Sequence, residues 1–164
     1  MADFDDFVRG RGGALLRFAF LLCGDRHRAE DLVQEALMRC HHRWRRIERL
    51  AGPEAYVRKV ILRQFLSWRR LRSSREIAAD RIPDRRVDGE ADTFAERSAI
   101  RDVLGSLPRR QRAVLVLRFY EDLPDGAIAD LLGCSPATVR VHAGRALASL
   151  RRHPEFTASG VDHD

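Results

Sequence analysis

The stretch Asp125–Leu150, DGAIADLLGCSPATVRVHAGRALASL, predicts two short helices joined by a tight turn at Gly133-Cys134-Ser135. Apolar positions spaced as on one face of an α-helix define the buried side of each helix. They are Ile128, Leu131 and Leu132 in the first helix, and Val139, Ala143, Ala146, Leu147 and Leu150 in the second. This arrangement is typical of a helix-turn-helix, whose second helix enters a DNA major groove.

Candidate DNA contacts lie at the start and on the polar face of the second helix. We expect Ser135 to be the N-cap and Pro136 the first helical residue. The other candidates are Thr138, Arg140, His142 and Arg145. The arginines suit either guanine edges or phosphates, and the sequence leaves both open.

Charge divides the chain into three blocks. The 164 residues carry a net charge of +6, and the pI of about 10.2 indicates a polyanionic partner. Residues 1–75 hold 17 basic and 9 acidic residues, residues 76–98 hold 4 and 7, and residues 99–164 hold 9 and 8. We therefore predict a domain at 1–75, an acidic linker at 76–98, a second domain at 99–153 and a tail at 154–164.

Three helices are predicted upstream of the linker, and no strand pattern stands out. The first spans about Phe4–Leu22, where Gly10, Gly12 and Gly13 are expected to loosen or break it. The second runs from Arg26 to about Glu48, and the third from Pro53 to about Arg75. The expected core of the three helices is Phe7, Leu15, Phe18, Ala19, Leu22, Ala29, Leu32, Val33, Ala36, Leu37, Cys40, Trp44, Ile47, Tyr56, Val57, Val60, Ile61, Phe65 and Leu66.

Periodicity fades from Glu76 to Arg97, which favours a flexible tether. A weak helix is expected from about Thr93 to Gly105-Ser106, and Pro108 opens another. The core of that last helix is predicted to be Val114, Leu115, Leu117 and Phe119. The predicted fold class is all-α, with two small helical domains joined by a flexible acidic linker.

Enzymatic, metal-binding and membrane-spanning classes find no support in the sequence. Cys23, Cys40 and Cys134 are too few and too scattered for a disulfide framework or zinc site, and buried thiols are favoured. The six histidines do not combine with Cys or carboxylates at metal-ligand spacing, and there is no phosphate-binding glycine loop. No signal peptide or apolar run of about 20 residues is visible. We expect a cytoplasmic protein with no catalysis and no cofactor.

Three stretches together resemble the group IV (extracytoplasmic-function, ECF) sigma factors of bacterial RNA polymerase. HRAEDLVQEALMRCHHRW at 27–44 is similar to the helix of regions 2.1–2.2, and PEAYVRKVILRQFLSWRRLRSSRE at 53–76 to regions 2.3–2.4. The stretch LPRRQRAVLVLRFYEDLPDGAIADLLGCSPATVRVHAGRALASLR at 107–151 is similar to region 4. Their order and spacing match the family, and together they cover most of the chain.

The resemblance implies a subunit that binds core RNA polymerase at its clamp helices and flap and directs promoter-specific initiation. The first domain would open and read the minus-ten element, and the second would read the minus-thirty-five element. The linker would thread through the polymerase. The implied partners are core polymerase, promoter DNA and, as a further candidate, an anti-sigma factor.

Site residues carried over from the resemblance form three groups. The polymerase-binding group, on the polar face of the second helix, is Asp31, Gln34, Glu35 and Arg39. The minus-ten group is Arg58, Arg63, Gln64, Trp68, Arg69, Arg70 and Arg72. Its tryptophan would stack on an unpaired base and its arginines would hold phosphates, although helical position alone fits a core tryptophan equally well. The minus-thirty-five group is Ser135, Thr138, Arg140, His142 and Arg145. Many relatives carry Asn near Arg63 or Gln64, so base preference is not carried over.

Two other interpretations stay open at the level of sequence. An ordinary helix-turn-helix regulator, such as the output domain of a response regulator, would fit residues 125–150 equally well, but residues 27–76 show no α/β receiver. An interaction protein that sequesters an anti-sigma factor would keep the acidic helix and could lose the DNA-facing arginines, which are present here.

Overall fold

Helices make up every element of the computed structural model, which describes residues 3–79 and 101–154, with side chains at 3–67 and 101–154. The first part contains α1 (Phe4–Cys23), α2 (Arg26–His41), α3 (Trp44–Ile47) and α4 (Pro53–Ala79). The second part contains a helical turn at 101–105, α5 (Arg109–Leu115), a π-helical turn (Val116–Tyr120), α6 (Asp125–Leu132) and α7 (Pro136–Arg152). The all-α prediction is confirmed for the described residues.

The chain divides into two compact units, Met1–Arg85 (unit 1) and Arg86–Asp164 (unit 2). Residues 76–79 of the predicted linker belong to α4, which is slightly longer than predicted. The rest of that linker, the predicted helix start near Thr93 and the tail beyond residue 154 lie outside the described residues.

Helix α1 is continuous through its three glycines, so the predicted interruption is wrong. Asp3 caps its first turn, and Gly24 ends it in the left-handed region at φ 72°, where its N–H donates to the Phe20 carbonyl over 2.8 Å. Each glycine costs a helix about 1 kcal/mol. The buried side chains on both sides of the glycines, Phe7, Leu15, Phe18, Ala19 and Leu22, hold the helix against its neighbours.

The predicted single helix from Arg26 to Glu48 is two helices, with a turn at His42-Arg43 between α2 and α3. That turn brings the Trp44 ring against Phe7, with ring centroids 4.8 Å apart, and against Phe4 at 5.4 Å. The apolar pattern continues across the turn because both helices face the same core, so periodicity alone did not reveal it.

Helix α4 packs across α1 and α2 and completes the core of unit 1. Its buried apolar side chains are Val57, Ile61, Leu62 and Phe65. An ion pair between Arg11 of α1 and Glu54 of α4 joins the two helices near the start of α4. Cys40 is buried as predicted, and burial raises the pKa of its thiol to about 11, whereas Cys23 and Cys134 are only half-buried.

Phe119 of the π-helical turn is 64% exposed, so its predicted place in the core is wrong. Glu121 N–H donates to the Val116 carbonyl over 3.1 Å, so this turn holds one more residue than an α-helical turn. At about 100° per residue, Phe119 is about 160° from the buried Leu117 around the helix, so it lies on the opposite side.

Small buried side chains and hydrogen bonds stabilise the helices of unit 2. Helix α7 packs against α5 and α6 through Val139, Ala143 and Ala146, each no more than 1% exposed. The Arg112 guanidinium donates to the carbonyls of Gly105 and Leu107 over 3.3 and 3.2 Å. A second small core contains Leu107, Leu115 and Ala146, with Leu104, Leu147 and Leu150 packed against it.

Candidate functional site

A polar face on α2 carries the four residues predicted to bind polymerase. Asp31, Gln34 and Arg39 are exposed, and Glu35 is half-buried. The Arg39 guanidinium lies 3.1 Å from the Glu35 carboxylate, one helical turn away. This face lies opposite the side chains that α2 buries, so within unit 1 it is left exposed to solvent.

The side chain of Met38 lies on the same exposed face of α2 and is 67% exposed. The helical period also places Met38 on this face, although it is not among the predicted site residues. An exposed methionine beside charged groups is suited to protein recognition, because its flexible side chain adapts to an apolar partner surface. The face therefore combines acidic, basic and apolar groups, as protein-binding surfaces do.

Helix α4 separates the predicted minus-ten residues into exposed and buried ones. Arg63 is exposed, and Arg58 is half-buried with its guanidinium 3.7 Å from the Glu54 carboxylate. Gln64 is only 6% exposed, and neither its amide nitrogen nor its amide oxygen has a hydrogen-bond partner among the described residues. The Gln64 amide is therefore buried in unit 1, and its predicted contact with DNA stays a prediction.

The remaining minus-ten candidates lie further along α4. The helix backbone continues through Trp68, Arg69, Arg70 and Arg72 to Ala79, which keeps them on one helix with Arg63. Their side chains lie outside the described residues. The predicted stacking of Trp68 on an unpaired base stays a prediction.

The turn of the helix-turn-helix has the predicted residues in the predicted positions. Helix α6 ends at Gly133, whose φ of 67° lies in the left-handed region, and α7 starts at Pro136. Ser135 is the N-cap: its Oγ accepts from the Thr138 N–H over 3.1 Å, and the two hydroxyl oxygens are 3.0 Å apart. Ser135 and Thr138 therefore order the start of α7.

An ion pair anchors the first helix of the motif. The Arg118 guanidinium of the π-helical turn lies 2.9 Å from the carboxylate of Asp125, the first residue of α6. The acidic side chain also lies at the positive end of the helix dipole, where it is favourable. This ion pair therefore orders the start of α6, as the Ser135 cap orders the start of α7.

Arg140 and Arg145 are exposed on the outward side of α7. Between them around the helix lies Val141, 49% exposed, which sequence reasoning did not select. The signal was present in the helical period, because Val141 falls opposite the buried Val139, Ala143 and Ala146. Two cations on one convex helix face give a surface suited to a phosphate-lined groove.

His142 lies at the edge between the outward face and the core. It is half-buried, and its Nδ1 atom is buried with no hydrogen-bond partner among the described residues. Loss of water lowers the pKa of His142, and the positive charges of Arg110 and Arg145 lower it further. Arg110, exposed on α5, thus adds a third positive charge near α7 that the motif alone did not indicate.

Neither a metal site nor a membrane helix is found where the structure is described. In residues 3–79 and 101–154, no group of three or more His, Cys, Asp or Glu side chains is placed to hold a metal ion. Within the same ranges, no helix has the length and apolarity needed to cross a membrane.

Comparison with protein families finds two models in the order that the sequence suggested. Sigma-70 region 2 matches residues 7–75, and sigma-70 region 4 matches residues 97–150. The first match contains the polar face of α2 and the exposed Arg63, and the second contains the whole helix-turn-helix.

Curated relatives match along nearly the whole chain. RNA polymerase sigma-E factor of Streptomyces coelicolor is 38% identical over 98% of this chain and 89% of its own length. ECF RNA polymerase sigma factor SigL of Mycobacterium tuberculosis is 30% identical over 84% of this chain and 80% of its own. RNA polymerase sigma factor SigV of Bacillus subtilis is 26% identical over 82% and 81%.

A solved structure shares the fold. It is the sigma factor RpoE of Bartonella quintana, crystallised in complex with the anti-sigma factor NepR. The similarity has a TM-score of 0.69 at 23% identity and covers 99% of this chain and 100% of that one.

Proposed function

The chain belongs to the ECF RNA polymerase sigma factors, and we propose that it directs promoter-specific initiation through one surface on each unit. It binds core RNA polymerase and brings it to promoters. The observation that carries this conclusion is the presence of regions 2 and 4 in order in one chain. An ordinary helix-turn-helix regulator requires only the second of these regions.

The face of α2 formed by Asp31, Gln34, Glu35 and Arg39 is the surface we assign to core polymerase. Three observations support the assignment: the residues lie on one side of a helix, three of them are exposed, and Met38 adds an apolar group at the same place. The acidic groups would repel DNA and attract a basic protein surface.

The minus-ten element is assigned to α4. Its exposed Arg63 supports this role, and Trp68, Arg69, Arg70 and Arg72 follow on the same helix. Arg58 is a weaker candidate because Glu54 already neutralises part of its charge. Gln64 is also a weaker candidate, because its amide is buried in unit 1.

The minus-thirty-five element is assigned to α7. Arg140 and Arg145 reach the DNA, and Ser135 and Thr138 place the helix by ordering its first turn. With binding and DNA opening as its whole mechanism, the protein needs no catalytic group or cofactor of its own. We infer that it acts in the cytoplasm, because promoter DNA and polymerase are there. An anti-sigma factor as a further partner stays a prediction.

Reconstituted transcription tests the proposed function. Purified chain is added to core polymerase from the source organism, with fragmented genomic DNA as template, and the RNA 5′ ends are sequenced. We expect defined start sites that core polymerase alone does not use. The Arg140→Ala, Arg145→Ala double variant should lose them while still co-purifying with core polymerase. If the wild-type chain produces no new start sites, the proposed function is wrong.

A further inference from the structure

The outward face of α7 presents an apolar side chain between two cations. At about 100° per residue, Arg140 and Arg145 are about 140° apart around the helix, with Val141 between them. Val141 is 49% exposed, whereas the valine two residues earlier, Val139, is fully buried. Packing within unit 2 therefore explains Val139 but not Val141.

The surface around Val141 is open. Gly144, one turn further along α7, is exposed, and a Cβ atom added there would meet nothing within 4 Å. No bulky side chain at that position shields Val141 from an incoming partner. Valine is also a weaker helix former than alanine, so helix stability does not favour it at an exposed site.

DNA offers a specific partner for an apolar side chain on a reading helix. The C5 methyl group of thymine is the apolar group at the base edges of the major groove, and aliphatic side chains recognise it by contact. The flanking Arg140 and Arg145 would be held by phosphates or guanine edges on either side. Those contacts would carry the middle of the helix face, where Val141 lies, toward the bases.

We propose that Val141 selects a thymine in the minus-thirty-five element by packing against its C5 methyl group. The inference rests on the proposed function, since it requires α7 to read promoter DNA. It goes beyond that function by naming an apolar, sequence-selecting contact and the base that it favours. Arginine contacts alone would place the helix without distinguishing thymine from cytosine at this position.

The experiment uses the holoenzyme and removes single methyl groups from DNA. Holoenzyme first selects its minus-thirty-five element from duplexes randomised in that region. Each thymine of the selected element is then replaced in turn by deoxyuridine, which lacks only the C5 methyl group. At one thymine we expect about a fourfold loss of affinity, the equivalent of one buried methyl group.

Variants of Val141 identify the side chain responsible. Val141→Ala should bind thymine DNA about fourfold more weakly and no longer distinguish thymine from deoxyuridine at that base. Val141→Thr, which keeps one methyl group, should retain part of the difference. Phe119→Ala removes another exposed apolar side chain of unit 2 and should leave the thymine-to-deoxyuridine ratio unchanged.

Two outcomes overturn the inference. One is a selected element with no methyl-sensitive thymine, and the other is methyl sensitivity that persists in Val141→Ala. Both leave the proposed function standing, because the holoenzyme would still have selected a DNA sequence. If the holoenzyme selects no sequence at all, the proposed function and this inference both fail.

Discussion

Unit 1 and unit 2 are both helical, but the side chains that hold their functional helices in place differ in size. In unit 1, α2 and α4 are fixed by large apolar side chains such as Phe18, Leu32 and Ile61, all fully buried. In unit 2, α7 rests on the smaller side chains Val139, Ala143 and Ala146, and Ser135 caps its start. The comparison teaches that α2 and α7 are both capped at their starts, whereas large buried side chains hold the functional helices of unit 1 and small ones hold α7.

The two units also differ in the chemistry of their exposed faces. The α2 face mixes acidic, basic and apolar groups, which suits a protein surface. The α7 face carries arginines on both flanks with Val141 between them, which suits a DNA groove. Four changes, from the largest expected effect to the smallest, break or sharpen this comparison.

The largest expected difference in stability between the two units follows from truncating a core side chain in each. Phe18→Ala should lower the free energy of unfolding of unit 1 by about 3–5 kcal/mol, because it leaves a cavity. Val139→Ala in unit 2 removes two methyl groups and should cost about 2 kcal/mol. Both tryptophans lie in unit 1, so urea denaturation can be followed there by fluorescence and in the whole chain by circular dichroism. Equal costs would contradict the contrast.

Replacing the buried amide of Gln64 should stabilise unit 1. Gln64→Leu removes two unpaired polar atoms from the core and should raise the free energy of unfolding by about 1–3 kcal/mol. Gln64→Glu is the matched control and should destabilise, because it buries an ionisable group in place of a neutral one. Thermal denaturation of the purified chain measures both. A destabilised Gln64→Leu variant would show that the amide has a partner.

The helix caps should contribute similarly in the two units. Ser135→Ala removes the acceptor of the Thr138 N–H, and Asp25→Ala removes the acceptor of the His27 and Arg28 N–H groups. Each change should lower the free energy of unfolding of its own unit by about 1 kcal/mol. Denaturation of the two variants, side by side, checks this. A neutral Ser135→Ala would mean that the cap does not fix the start of α7.

The smallest expected effect is a pH dependence of unit 2 through His142. Its pKa is lowered in the folded state by burial, Arg110 and Arg145, so the unfolded chain binds the proton more readily. The stability that His142 contributes is present above pH 6.5, the ordinary value, and decreases as pH falls below it. Thermal denaturation of wild type and of His142→Gln is measured between about pH 5 and 7.5, which extends about one unit or more to either side of that value. The stability of the variant should depend less on pH. An unchanged dependence would place the titrating group elsewhere.

Much of this architecture was predictable from local patterns. The five core residues of α1 are buried as periodicity indicated, and Gly133, Ser135 and Pro136 occupy the predicted turn and helix start. These features were accessible because capping and helical periodicity depend on neighbours within one or two turns.

The misses come from interactions that a single helix does not contain. Continuity of α1 through its glycines depends on packing against other helices, and the turn at His42-Arg43 preserves the apolar period on both sides. Phe119 is apolar by type but lies opposite the buried Leu117 around the helix, so its residue type wrongly indicated a core position. At Gln64 the polar side chain indicated an exposed position, whereas the helical period placed it on the side of α4 that is buried.

The central claim is that polymerase binding and upstream DNA reading belong to different units of one sigma factor. The direct measurement compares two double variants. One combines Asp31→Ala with Glu35→Ala, and the other combines Arg140→Ala with Arg145→Ala. For each variant we measure the affinity for core polymerase. We also measure occupancy of the selected minus-thirty-five element by holoenzyme, assembled with enough of the variant to saturate core polymerase. The account predicts that the first variant weakens polymerase binding alone and the second weakens occupancy alone. If either variant lowers both, or if the effects are exchanged, the division is contradicted.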